Sequence, residues 1–380
     1  MAKDTLIPNM LEPLQVDAFR DWKGVRNTLS EEWRDLQSDP LTVGANFFNG
    51  FDYLDAWVQH FGGDLDLCLL AVRDGHGDLC GLAPLQVSAR SSGRWRFRRL
   101  GFVRNAHISR CSVLMRGDLR GIAHAIVQRL WHERRLFDDI VLEALPDACP
   151  AQTALRHAFV ESGFRTRHPP SERQLRTVRM SGTVEEYLAS RPASVRKDIR
   201  RAHRRCAELP GFEIAVVADP DQARGRLRQL FSLDWLSRTR GRQGAVYPVE
   251  AKAFYLSLAG RMAEIGRLEF VEARVAGEVV ASGLTITHAR RRYLLVFYAD
   301  PEFDAASPGR AVTVRTITEG VEDPDTDVVE LNGSSTLLAQ LSDSTLEIGT
   351  FFATHDGWRS RLIGLGRAAK ARRAARGAVA

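Results

Sequence analysis

The stretch from Leu268 to Glu319 restricts the fold more than any other part of the chain. Apolar residues alternate on both sides of Ala276-Gly277-Glu278, and a third alternating run follows, Arg292-Tyr293-Leu294-Leu295-Val296-Phe297-Tyr298. β-Branched and aromatic residues at period two, separated by short Gly-containing or basic turns, predict an antiparallel meander of three strands. After Tyr298 the pattern changes. Residues 300–307 are polar, Pro308 and Gly309 break regular structure, and Ala311, Val314, Ile317 and Thr318 recur at helical spacing. Ser307 is placed to cap that helix, with Pro308 at its first position, where a missing N–H costs nothing. A strand, a Gly-containing loop and a capped helix present backbone N–H groups and a positive dipole end beside a sheet edge, which suits a phosphate or pyrophosphate. The same turn also serves many α/β proteins as a plain structural cap.

The meander, the Ser307-Pro308-Gly309 loop, the helix and a further apolar strand, Val328-Val329-Glu330-Leu331-Asn332, follow in an order that resembles the acyl-CoA-binding core of the GNAT superfamily of acyltransferases. Phe297-Tyr298-Ala299-Asp300-Pro301-Glu302-Phe303, Val329-Glu330-Leu331-Asn332-Gly333 and the upstream basic run from Ser194 to Ala202 narrow the resemblance. They resemble the branch that holds CelD-like acetyltransferases, associated with cellulose and exopolysaccharide, and the related Fem-type peptidoglycan aminoacyl transferases. The likeness spans Met180 to Arg361, with a weaker echo before it. It implies an α/β (α+β) chain built as a tandem pair of GNAT-like halves, each a mixed, mostly antiparallel sheet flanked by helices. It also implies acetyl-CoA or another acyl-CoA as co-substrate, without a metal, seated by Val296, Phe297, Ser307, Gly309, Arg310, Ala311 and Val312. Members of this branch often carry a Tyr-Lys pair after the Gly of the last strand. Residues Ser334 to Gln340 contain none, so no Lys role carries over.

A chain of 380 residues exceeds one compact core. The order of elements suggests how it divides. A helix rich in aromatics, Phe51 to Phe61, precedes the strand–turn–strand run Asp66 to Val87, much as Phe254 to Leu258 precedes the later hairpin. The expected division is a degenerate GNAT-like half over 1–178, an acyltransferase half over 179–363 and a basic tail over 364–380. The first half lacks Ser-Pro-Gly at the equivalent turn and has Asp118 instead, whose carboxylate competes with phosphate at a helix start. It is expected to help form the acceptor cleft. Periodicity further predicts a helix around Asp17 to Arg26, a strand at Cys111 to Met115, a helix from Asp219 to about Arg238, and sheet-closing segments at 337–341 and 346–351.

Acyl transfer from a thioester needs a neutral nucleophile, a stabilised oxyanion and a proton for the leaving thiolate. Tyr298, Asp300, Glu302 and Glu330 flank the strand ends beside the donor seat and are the candidates for proton work, with structural roles as the alternative for each. The loop 239–248 is Gly-rich and basic and is expected either to fold over the acceptor or to form a surface turn. Trp235, Arg238 and Tyr247 beside it, with Asn332, are the substrate candidates. His288 falls in a basic hairpin turn and is expected to be solvated.

A net charge of +6 and a pI near 9.3 draw anions of many kinds. The basic ridges between Arg196 and Arg205, and the tail from Arg367 to Arg376, are expected to meet solvent, cofactor phosphates, an anionic acceptor or a membrane surface. Interleaved aromatics for base stacking are missing, which argues against nucleic acid. The expected partner is a small-molecule or glycan-precursor acceptor. Scattered Cys68, Cys80, Cys111, Cys149 and Cys206 read as reduced structural thiols. With no apolar run of membrane-spanning length and no signal-peptide core in Met1–Pro8, the expected location is the cytoplasm. Two alternatives remain beside the acyl-CoA reading: a Fem-type enzyme using aminoacyl-tRNA, and a non-catalytic scaffold of an envelope-polymer machine.

Overall fold

Both halves repeat one order of elements, and all their strands join one sheet. The computed structural model describes residues 13–92, 95–171, 173–239, 249–333 and 335–366. The first half contains β1 (Gln15–Phe19), α1 (Trp22–Thr28), α2 (Ser30–Ser38), α3 (Phe51–Phe61), β2 (Asp66–Arg73), β3 (Leu79–Ser92), β4 (Trp95–Phe102), β5 (Leu114–Met115), α4 (Leu119–His132), β6 (Asp139–Pro146), α5 (Pro150–Glu161) and β7 (Arg165–Arg167). There follow β8 (Arg173–Arg179), α6 (Val184–Ser190), α7 (Ala193–Ala207), β9 (Glu213–Val217), α8 (Ala223–Thr239), α9 (Val249–Glu264), β10 (Leu268–Val275), β11 (Glu278–His288), β12 (Arg291–Ala299), α10 (Pro308–Glu322), β13 (Val328–Leu331), α11 (Thr336–Leu341) and β14 (Ser344–Thr354).

Each half is therefore a helix, an antiparallel meander, a helix and a strand parallel to the last strand of the meander. The parallel pairs are β4 with β6 and β12 with β13. Strand order along the sheet is β1-β2-β3-β4-β6-β14-β8-β13-β12-β11-β10-β9. The architecture is a mixed, mostly antiparallel sheet flanked by helices, with two GNAT-like units in tandem. The last strand does not stay among its own half's strands: β14 lies between β6 and β8 and pairs with both.

Several local expectations change. Residues 17–19 belong to β1, paired with β2, and the helix starts only after Asp21, whose carboxylate accepts from the Gly24 N–H. The run from Cys111 to Met115 is strand only at Leu114–Met115. Residues 337–341 lie in α11 instead of the sheet, because Ser335 caps that helix by accepting from the Leu338 N–H. The helix expected from Asp219 begins with a 3₁₀ turn, Pro220–Gln222, ahead of α8. All five cysteines are free, and Cys149 alone among them is not fully buried.

Aromatic side chains bind the halves together. Tyr293 of β12 packs against Phe47 and Phe48, with ring centroids 5.6 and 5.8 Å away, and Tyr53 of α3 meets Phe254 of α9 at 5.3 Å. The aromatic stripe on α3 thus serves packing across the junction.

Candidate functional site

The second parallel pair opens into a gap. β12 and β13 pair from Arg291↔Val328 to Leu294↔Leu331 and then separate. The register between β11 and β12 slips by one residue at this point, where Leu284 faces Val296 and Thr285 faces Leu294. Leu295 is the extra residue of a β-bulge, and its side chain and that of Val296 enter the same core, while Leu294 packs on the α10 face. Asn332 continues β13 across the opening: its backbone N–H reaches the Leu294 carbonyl at 3.2 Å, and its side-chain Nδ2 donates to the Leu295 carbonyl at 3.3 Å. Beyond the bulge, among the described residues, β12 pairs with β11 on one side only. The Asp300 N–H bonds to the Val280 carbonyl, so by strand alternation the backbone groups of Phe297 and Ala299 face the gap. These are the groups to which the amides of an extended thioester arm would bond, and they fit an acyl-CoA.

α10 starts beside this gap. Gly309, the second residue of α10, is buried, and a Cβ there would stand 2.7 Å from Phe297 Cζ and 3.3 Å from Ala299 Cβ, so only glycine lets the helix approach β12 this closely. Ser307 holds the N-cap position but in the left-handed region, φ 62°, ψ 51°, and its side chain does not cap. A 3₁₀ turn, Pro301–Phe303, forces this geometry. The Ser307 N–H folds back to the Phe303 and Asp304 carbonyls, and its Oγ donates to the Asp304 carbonyl. The Arg310 and Ala311 N–H groups return to the Ser307 carbonyl at 3.0 and 3.4 Å, and Pro308 has no N–H. Gly309 is therefore the residue whose N–H this turn leaves for an anion, a narrower seat than the sequence suggests. Ala311 and Val312 are buried and supply packing, and Arg310 is bonded to the Gln340 side chain at 3.3 Å.

The basic helix α7 borders this turn. Arg205 donates to the Ala305 carbonyl at 2.7 Å, and the Cys206 thiol to that of Ala306 at 3.3 Å. Arg196 is likewise spent internally, on the Ala189 and Arg191 carbonyls, whereas Lys197, Arg200, Arg201 and Arg204 form an exposed ridge.

The proton-transfer candidates scatter. Tyr298 is half-buried in line with Ser282 of β11 and Glu272 of β10, on the face opposite α10. The Asp300 carboxylate caps the 3₁₀ turn by accepting from the Glu302 N–H at 3.0 Å. Glu330 is 1% exposed and sits well back from the gap, beside Tyr293 in the sheet, with Oε2 3.3 Å from Arg110 Nη2. Burial opposes the Arg110 charge, but the Glu330 carboxylate, Tyr293 and Cys149 together outweigh it and hold the guanidinium above its usual pKa. Arg110 also donates to the Tyr293 hydroxyl at 2.9 Å. Glu330 thus joins the two halves through a buried ion pair.

Of the substrate candidates among the described residues, Asn332 alone is at the gap. Trp235 is 57% exposed on the outer side of α8, Arg238 is bound to Asp234 at 2.9 Å, and Tyr247 lies outside the described residues, as do 240–248 altogether. Two groups escape the sequence reading. Asp234 is fully buried under α8 with its Oδ1 unbonded, on a helix that packs across β11 and β12. A charged residue in register with Leu227, Leu230 and Phe231 was the available signal. His107 is half-buried between the halves, stacked on Phe61 at 5.8 Å with its Nδ1 3.5 Å from the Tyr255 hydroxyl, and burial holds it below the usual histidine pKa. No local pattern announces it, because its partners are distant in sequence. His288, expected in solvent, is 8% exposed. Gln37 meets its Nε2 at 2.9 Å and Arg267 donates to Nδ1 at 3.2 Å, because α2 closes over the hairpin end. In the first half the Asp118 carboxylate accepts from the Gly121 N–H at 3.0 Å, so that helix start is filled by the chain's own anion.

Comparison with known proteins agrees with this geometry. No curated protein matches the chain in sequence. The solved structure of FemX superposes with a TM-score of 0.60 at 12% identity, covering 85% of this chain and 95% of that one. A conserved protein of unknown function from Bacteroides thetaiotaomicron VPI-5482 superposes at 0.53 with 14% identity, over 90% of this chain and 100% of that one. Residues 193–335, from the start of α7 through β13, match the family model described as an acetyltransferase (GNAT) domain. The second half of the chain thus carries a stretch similar to GNAT acetyltransferase domains, set in an overall fold shared with FemX.

Proposed function

We propose that the protein is an acyl-CoA-dependent N- or O-acyltransferase, transferring an acetyl or other short acyl group to a small-molecule or envelope-polysaccharide precursor, as in the CelD-like branch. The observation that carries this reading is the parting of β12 and β13 at the Leu295 bulge, with α10 beginning beside the gap at Gly309. In this reading the thioester arm lies along β12 and bonds to the backbone of Phe297 and Ala299. The diphosphate meets the Gly309 N–H at the positive end of α10, and the exposed cations of α7 attract the remaining phosphate. A backbone N–H of β12 next to the bulge stabilises the oxyanion that forms as the acceptor attacks. Tyr298 gives a proton to the departing thiolate and is restored by the proton that the acylated amine or hydroxyl loses. Asp300 and Glu330 shape the site without exchanging protons.

The acceptor class follows from the resemblance, as does work in the cytoplasm, where acyl-CoA is made. A membrane surface fits the C-terminal end. Residues 358–366 are helical, Trp358, Leu362 and Leu365 are exposed at helical spacing, and the sequence continues with Arg367, Lys370, Arg372, Arg373 and Arg376. That pairing of apolar and basic residues suits anionic lipid.

A second reading, a Fem-type transferase using aminoacyl-tRNA, draws on the FemX-like fold and on the Phe297 ring that narrows the diphosphate seat. A thiol-release assay with acetyl-CoA and a panel of amino sugars and diamines separates the two. Acceptor-dependent release that is lost in Tyr298→Phe supports the first reading. Absence of release, with transfer from aminoacyl-tRNA in its place, supports the second.

A further inference from the structure

A cavity of about 510 Å³ lies between the halves, at the end of the sheet where β12 and β13 begin. The first half contributes the segments 43–46 and 146–150 to its wall, and the second half contributes parts of β8, β13 and β14. Among the described residues, its charged lining residues are Arg110, Arg179 and Arg291, with no Asp or Glu. Arg110 is 5% exposed, and although it touches Tyr293 and Glu330, its Nε has no hydrogen-bond partner. Glu330 already balances the Arg110 charge, so what remains open is this one buried N–H, whose missing hydrogen bond an acceptor could restore if the side chain turned toward the cavity. Arg179 is exposed and Arg291 half-buried, and among the described residues neither side chain forms an ion pair, so two further guanidinium groups at the wall are open to a ligand, with Asp327 near Arg291 and Asp343 near the Arg179 backbone as the neighbouring carboxylates. α5 also starts here, with Pro150 as its first residue and Cys149 providing no side-chain cap, so its positive end faces the same space.

We propose that this cavity is a second binding site, separate from the strand gap, for a small organic anion whose phosphate or carboxylate is held by Arg110 with Arg179 and Arg291. Guanidinium matches both groups in shape and charge, and the volume suits a small metabolite. The site does not coincide with the acyl-transfer seat: Val328 in its wall precedes Asn332 by about 13 Å of strand. Because the wall comes from both halves, an occupant ties them together.

Calorimetry and thermal unfolding of the full chain at low salt, with inorganic pyrophosphate in one arm and succinate in the other, test the proposal. At least one arm should give saturable heat and a raised unfolding midpoint, and the arm that responds names the preferred group. Arg179→Ala combined with Arg291→Ala, which leaves the Arg110–Glu330 pair intact, should weaken that binding about tenfold or more without shifting the ligand-free midpoint. Gly309→Asp should leave it unchanged. Silence in both arms up to about 10 mM overturns the proposal. Unaltered affinity in the double variant overturns it as well, and loss of binding in Gly309→Asp alone would place the anion at the strand gap instead.

Discussion

Glu330→Ala probes how the halves are held together. Glu330 is 1% exposed on β13, and its partner Arg110, 5% exposed, comes from the first half at 3.3 Å. Removing the carboxylate leaves a guanidinium buried with the Tyr293 hydroxyl as its remaining side-chain contact. Losing one member of a buried ion pair costs about 3–5 kcal/mol, a large part of the ~5–15 kcal/mol that holds a typical domain folded. Replacing both members removes the uncompensated charge, and exchanging such a pair for apolar side chains is neutral to stabilising by about 1–4 kcal/mol. Urea unfolding followed by tryptophan fluorescence should therefore rank Glu330→Ala and Arg110→Met as strongly destabilised, and Arg110→Met/Glu330→Met as close to the parent. If Glu330→Ala falls within about 0.5 kcal/mol of the parent, the size expected of a neutral surface change, the ion pair is not what joins the halves. The same holds if the double variant is as unstable as the two single losses summed.

Burial, with Arg267 alongside, pushes His288 down to about 4, so the folded protein keeps it neutral while the unfolded chain takes up a proton below about 6.5. Stability should therefore be unaffected by this group above pH 6.5 and fall by about 3 kcal/mol as pH drops toward 4, and His288→Asn should flatten that slope in urea titrations run across the range. Gly309→Ala drives a methyl to 2.7 Å from Phe297 Cζ; overpacking of about 1–3 kcal/mol should outweigh the helix gain of up to about 1 kcal/mol, and Phe297→Leu should relieve it in the double variant. Vesicles containing phosphatidylserine should carry the full chain in flotation, phosphatidylcholine vesicles should not, and serine at Trp358, Leu362 and Leu365 should abolish the difference; equal flotation of the serine variant would dismiss the membrane contact.

The second half was the more legible because its signals are local. Alternation predicts β10 to β12, and Pro308 with Gly309 marks the start of α10. What the sequence concealed is set partly by local backbone geometry that propensity does not record and partly by residues far apart. Ser307 has a capping side chain, but the 3₁₀ turn before it holds it at positive φ, and no local propensity records that. His288 follows a run of apolar residues into a basic turn, and Gln37 and Phe47, from the other half, help to bury it. Asp300 and Glu330 read equally well as proton carriers until their partners are visible: a backbone N–H two residues on for the first, and an arginine from the first half for the second. The segment 337–341 is apolar enough for a strand, but Ser335 caps it as a helix and leaves β14 to cross between the halves.

Titration calorimetry of the full chain with acetyl-CoA, set beside Gly309→Asp, addresses the donor seat most directly. A diphosphate at the start of α10 predicts saturable heat with micromolar or tighter affinity, and its disappearance when a carboxylate occupies the only N–H that the turn leaves for an anion. No heat from the parent protein, or the same heat from both proteins, would contradict the account.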